Sequence, residues 1–264
     1  MLEIFQYEFM RRAFIVGGIL AIILPCMGQS ILIKRLSTIG DTLSHSSLAG
    51  LTIGLAFGFN PLSTAIISCI VAGVLIEFIR NKLKNYQEVS TVIILAASIG
   101  LAGIFSSLVE NTNSISSYLF GSIVTISDGE FYLVLVIAAI VLLCYGLLYK
   151  KLYLSVFDPQ AARIMGINTS FINFMLTILT AITVSISART IGSLIVSSLL
   201  VIPSLTAIEL RKTYKASLIL SIILSLVYVY LGLLLSYHYN LRPGSVIVLI
   251  SVACLLIIML VKNK

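Results

Sequence analysis

Nine stretches of nearly continuous apolar sequence constrain this chain more than any motif in it. A helix rises 1.5 Å per residue, so about 20 apolar residues cross the roughly 30 Å hydrocarbon core of a bilayer. Runs close to that length lie at 13–33, 38–57, 62–79, 90–109, 131–149, 170–188, 190–208, 216–236 and 244–261. Composition agrees, with 59% hydrophobic and 10% charged residues in 264, where a soluble domain carries about 25% charged. A soluble core of this size cannot hide so much apolar surface, so lipid has to cover the remainder. The expectation is a single all-α domain over 1–264, a polytopic bundle of eight or nine transmembrane helices. No soluble catalytic domain fits in what is left.

Charge sets the orientation. Thirteen of the 17 lysines and arginines follow odd-numbered runs: Lys34 and Arg35, then Arg80, Lys82 and Lys84, then Lys150, Lys151 and Arg163, then Arg211, Lys212 and Lys215, and finally Lys262 and Lys264. Cytoplasmic loops carry the excess of positive charge. The N-terminus is therefore expected outside and the C-terminus in the cytoplasm. Arg11 and Arg12 run against this, which leaves eight spans as the alternative. The residues before them, Leu2, Ile4, Phe5 and Phe9 among polar neighbours, suit a short helix on the outer surface. The net charge of +7 fits anionic lipid rather than nucleic acid. Acidic residues precede the arginines and no small-residue cleavage site follows, so this is no signal peptide. Cys26, Cys69, Cys144 and Cys254 form no CxxC and read as small apolar residues.

Ionisable groups at membrane depth are costly and need a reason. The sharpest case is Gly40-Asp41-Thr42-Leu43-Ser44-His45-Ser46-Ser47 in the second run. On a helix, Asp41 and His45 share a face, within about 5–6 Å at Cβ. The pair offers a hard oxygen and a borderline nitrogen, a combination that suits a divalent first-row cation. A helix cap with a helix–helix hydrogen bond, or a proton relay, would use the same two residues. Two ligands are too few for a complete site, so others must come from another helix or a second copy. His238, between Tyr237 and Tyr239 at the outer end of the eighth run, is a candidate ligand at a pore mouth or an aromatic-belt residue. Ser197, Ser198 and Pro203 suit packing and a kink.

Between the fifth and sixth runs lies Phe157-Asp158-Pro159-Gln160-Ala161-Ala162-Arg163-Ile164-Met165-Gly166. Asp158 suits an N-cap, Pro159 the first helical position and Gly166 the position just past the end. This reads as a short capped helix on the cytoplasmic side, a docking element or a simple connector. No GxxxxGK[ST], HExxH or GxSxG occurs. Any nucleotide-driven motor must therefore be a separate chain, and a HExxH-type intramembrane metalloprotease is excluded.

Three stretches together resemble the permease subunits of bacterial ABC importers for zinc, manganese and iron. They are Lys34-Arg35-Leu36-Ser37 with Gly40-Asp41 and Ser44-His45-Ser46; Asp158-Pro159 with Ala162 and Gly166; and Ile191-Gly192-Ser193-Leu194-Ile195 through Pro203. Asn60-Pro61 and Tyr118-Leu119-Phe120-Gly121 fit in the same order. The resemblance implies a type II ABC-importer-like permease fold, with two copies forming the pathway in the bacterial plasma (inner) membrane. It implies a cytoplasmic ATP-binding subunit on each coupling helix, here 158–166, through Asp158, Pro159, Ala162 and Gly166. An extracellular or periplasmic metal-binding protein would deliver zinc, manganese or iron, ATP would be used by the partner, and Asp41 and His45 would contact the metal. A proton-coupled secondary metal transporter is the rival. It would need more membrane carboxylates and an inverted repeat, neither of which is evident. A purely structural subunit is the other.

Overall fold

The computed structural model describes residues 7–83, 86–109, 115, 118–119, 128–211, 213–239 and 241–262. Among these residues every regular element is helical. The order is α1 (Glu8–Ile33), α2 (Ile39–Phe57), α3 (Pro61–Lys82), α4 (Val89–Ser106), α5 (Asp128–Phe157), the short α6 (Pro159–Ile164), α7 (Thr169–Ile191), α8 (Ser193–Leu210), α9 (Tyr214–Tyr239) and α10 (Pro243–Lys262). Each of the nine apolar runs corresponds to one long helix. Seven of them, α1, α3, α4, α5, α7, α9 and α10, are long and apolar enough to cross a membrane. α8 is shorter but apolar, and α2 is diluted by its own serines and threonines. Leu2, Ile4, Phe5, Lys84, Phe120, Gly121, Lys212 and Lys264 lie outside the described residues.

Several boundaries differ from the apolar runs, for local reasons. α1 begins at Glu8 and carries Phe9, Arg11 and Arg12 on the helix rather than on a separate surface segment. Arg12 pairs with Glu8 one turn away and with Asp128 at the start of α5. α5 continues past its apolar stretch to Phe157 because one stripe of it is aromatic. Tyr149, Tyr153 and Phe157 pack around Tyr214 of α9, with ring centroids 5.4–5.8 Å apart, and offset or edge-on pairs of this kind are favourable. Between α7 and α8 the link is Gly192 alone, and Arg189 and Thr190 belong to the last turn of α7. Gly192 takes φ 101°, a conformation that favours glycine.

Small residues set how closely α2 can approach its neighbours. Gly50 and Gly54 stand four apart against the start of α3, where a Cβ on Gly50 would overlap the Thr64 carbonyl and Ser68. This is the close packing by which membrane helices associate without help from the hydrophobic effect. The Cys69 thiol donates to the Leu43 carbonyl at 3.0 Å and fixes the register. From Cys69, α3 runs on to Lys82, about 20 Å at 1.5 Å per residue, whereas α2 begins only four residues before Leu43, about 6 Å. The first turn of α2 is thus recessed from the Lys82 end of α3. All four cysteines are free, with Cys26 and Cys69 buried and the other two half-buried.

Candidate metal pathway

The recessed start of α2 carries Asp41 and His45. Thr38 precedes the helix with no side-chain cap, and Asp41 lies in the first turn, where a carboxylate favours the positive end of the helix dipole. Asp41 is therefore not the cap that the simplest structural account would make it. The remaining polar residues of α2 turn inward and are mostly satisfied. The Thr42 hydroxyl donates to the Thr91 carbonyl at 3.1 Å, and Ser46 shares a hydrogen bond with Ser98 at 2.7 Å. Ser47 bonds to Tyr118 and, at 3.2 Å, to Ser185. What stays open is one face: Asp41 is exposed and His45 half-buried. Beside that face, the hydroxyls of Ser44 and of Ser197 on α8 are buried without a hydrogen-bond partner, and Ser197 packs against the place a side chain on Gly40 would occupy.

Among the described residues no three His, Cys, Asp or Glu side chains come together in one chain. Asp41 and His45 remain a two-donor set. His238 is exposed in the last turn of α9, edge-on to Tyr239 with ring centroids 5.2 Å apart. It lies 24 residues, about 36 Å, along α9 from Tyr214, whose carbonyl accepts from Gln29 near the end of α1. His238 therefore stands at the end of the bundle opposite the first turn of α2.

Two features of the bundle were not legible from spacing. A cavity of about 430 Å³ opens between the end of α2, the start of α5 and the end of α7, lined by Leu51, Asn60, Tyr118, Glu130 and Arg189 among others. Arg189 donates to Glu130 across it at 2.9 Å. Neither Asp41 nor His45 lines this cavity, so this opening and the candidate ligands are separate places. The second feature is Glu77 of α3, buried and ion-paired with Arg80, with the Thr177 hydroxyl at 3.4 Å. Asp41 is thus not the sole carboxylate within a membrane helix, but Glu77 is already neutralised by its partner.

The short α6 is capped at both ends. The Asp158 carboxylate accepts from the backbone of Gln160 at 3.1 Å and of Ala161 at 2.8 Å. At the other end Gly166 takes φ 76°, and the amides of Gly166 and Ile167 return to the carbonyls of Arg163 and Ala162, a Schellman closure. Ala162 is buried against the bundle, whereas Ile164 is 88% and Met165 70% exposed. The caps hold an apolar pair outward at the end where Lys34, Arg80 and Arg163 cluster.

Residues 6–262 match the family described as the ABC 3 transport family. The chain belongs to the ABC 3 transport family. A relative in Treponema pallidum, described as a "Probable metal transport system membrane protein", is 33% identical over 253 residues, covering 96% of this chain and 95% of that one. The manganese transport system membrane protein MntC of Listeria monocytogenes is 29% identical over 98% of this chain and 92% of its own length. The zinc uptake system membrane protein ZnuB of Haemophilus influenzae is 27% identical over 98% and 99%. The fold matches that of PsaBC from Streptococcus pneumoniae, with a TM-score of 0.84 at 24% identity over 96% of this chain and 91% of that one. A multi-pass, all-α permease fold is therefore the architecture of this ABC 3 family member.

Proposed function

We propose that this chain is the permease subunit of an ATP-driven importer of a divalent transition metal, zinc, manganese or iron, in the bacterial plasma membrane. Two copies enclose the pathway. The observation that carries this reading is the open face of α2, on which Asp41 is exposed and His45 half-exposed in a bundle whose other α2 hydroxyls are largely satisfied. A carboxylate on the outside of a membrane bundle cannot be left to hydrocarbon. A second copy brought against the same face covers it, and the two-donor set becomes four donors, two oxygens and two nitrogens. Few ligands with ordinary geometry bind weakly enough to release their cargo.

His238 is offered as an outer ligand, where an external metal-binding protein would hand over the ion. At the opposite end, α6 is the coupling element: Asp158, Pro159, Ala162 and Gly166 set its shape, and Ile164 and Met165 present the docking surface to a cytoplasmic ATP-binding subunit. The permease itself forms no covalent bond. The named functions of the zinc and manganese relatives support the choice of cargo class, and the first-row affinities of such donors overlap too far to choose within it. Metal-binding stoichiometry tests the reading: one ion per two chains, lost in Asp41→Ala and in His45→Ala while the dimer persists. One ion per chain, or binding indifferent to both substitutions, refutes it.

A further inference from the structure

A second polar cavity, of about 270 Å³, lies at the cytoplasmic end, between the end of α1, the end of α3, the foot of α5, α6 and the start of α7. Its charged lining is Lys34, Arg80 and Arg163, with Ser155, Thr169 and Asn173 between them, and among the described residues no carboxylate lines it. Three cations drawn from three separate elements around one hollow repel one another unless something anionic joins them. Glu77 is ion-paired with Arg80 and acts on Lys34 only at longer range, less strongly than Arg80 repels it. Lys34 donates to the neutral Asn173 side chain, and Arg163 reaches the Thr169 hydroxyl at 3.4 Å. Among the described residues neither has a carboxylate partner.

One wall also holds a donor that nothing in the chain uses: Ser155 is 4% exposed and its hydroxyl has no hydrogen-bond partner. The first turn of α7, a helix of 23 residues, brings its positive end to the same wall through Thr169 and Asn173. Burial, and then the charge of Arg80, push the Lys34 ammonium down from its usual range to about 8, as expected of a cation awaiting a counter-charge.

We infer that this cavity is a binding site for a phosphate group, presented by the headgroup of an anionic phospholipid or free in the cytoplasm. Arg80 and Lys34 would hold its charge, Arg163 would close over it from α6, and the Ser155 hydroxyl would donate from the floor. Arginine suits the fork geometry of phosphate oxygens. Basic hollows between helices on the cytoplasmic side are placed to take headgroups of that leaflet. Because Arg163 belongs to the short helix that presents Ile164 and Met165, occupancy would fix the position of that helix against the spans. The site is separate from Asp41 and His45.

The test uses the full-length permease. One arm exchanges it into nanodiscs of phosphatidylcholine with or without phosphatidylglycerol and counts retained lipid by native mass spectrometry. The other titrates delipidated protein with sodium phosphate, followed by phosphorus NMR. Lys34→Gln/Arg163→Gln should weaken binding at least tenfold and Ser155→Ala severalfold, with Lys151→Gln, exposed on α5, as the unchanged control. Retention of phosphatidylglycerol over phosphatidylcholine, sensitive to the double substitution, assigns the site to a headgroup; a response to phosphate alone assigns it to a free phosphate. Equal retention of both lipids with no response to phosphate overturns the inference, as does a preference untouched by the double substitution. Protection of Arg163 from phenylglyoxal only when an ATP-binding subunit is added would also overturn it, giving the cavity to an acidic segment of that partner. Melting profiles of all variants separate lost binding from lost fold.

Discussion

Arg80→Met should cost about 3–5 kcal/mol of stability, because it leaves Glu77 as a buried charge without a counter-ion. The two side chains are 6% and 5% exposed and three residues apart on α3. Lys34 is near enough to feel the charge of Glu77 but forms no ion pair with it, its ammonium donating to Asn173 instead. The Thr177 hydroxyl is at the long limit of a hydrogen bond, 3.4 Å, and the second oxygen of Glu77 has no partner at all. Glu77→Leu alone should cost less, since Arg80 opens onto the cytoplasmic cavity and can be hydrated there. The double substitution Glu77→Leu/Arg80→Met removes both charges and should lie closer to the parent than Arg80→Met does, a coupling of about 2 kcal/mol or more. Reversible unfolding in mixed micelles, with SDS as denaturant, measures all four corners of the cycle. Arg80→Met costing under about 1 kcal/mol, or a double variant as unstable as the sum of the singles, would refute the reasoning and place Glu77 in contact with water or a proton.

Other consequences can be checked separately. Asp158→Ala removes both cap hydrogen bonds and should weaken α6 by about 1 kcal/mol, seen as faster amide exchange over 160–165 with the spans unchanged. Ile164→Asp/Met165→Asp should abolish co-purification with the ATP-binding subunit and leave metal binding intact. Lys34, facing Arg80 and Glu77 of α3 and Arg163 of α6, has its folded value held near 8, below its usual range. The cost of carrying its charge is thus fully present below about pH 8 and relieved as pH rises above it. Phosphate-group binding, which needs that charge, should weaken severalfold between about pH 7 and pH 9, and a Lys34→Gln protein should show no such step.

Much of the architecture was legible because lipid imposes a simple rule: each apolar run had to become a helix, and each did. α2 is the instructive case. Its polar residues, Asp41 and His45 together with the serines and threonines, keep it out of the strongly apolar set, yet Asp41 and His45 at helical spacing marked it as the element with a purpose, and they do lie on its one open face. The caps of α6 were readable from Asp158, Pro159 and Gly166, since capping is local chemistry. What escaped notice was non-local. Arg80 read as one more cytoplasmic cation, and only the packing of α3 on α7 shows that it neutralises Glu77. Lys34, Arg80 and Arg163 come from three distant stretches, so no spacing rule joins them. Ile164 and Met165 passed for filler because exposure depends on which side of α6 meets the bundle, settled by Ala162. The Glu130–Arg189 contact at the outer cavity is of the same non-local kind.

The central claim, that Asp41 and His45 line the route of a divalent metal, is most directly tested by uptake. The permease is reconstituted with its ATP-binding subunit and external binding protein, and entry of zinc, manganese and iron is followed with and without ATP for the parent, Asp41→Ala and His45→Ala. ATP-dependent uptake of one of these ions, collapsing in both variants while the assembly stays intact, is the predicted result. Undiminished uptake in both variants, or uptake driven by a proton gradient with the permease alone, would contradict the account.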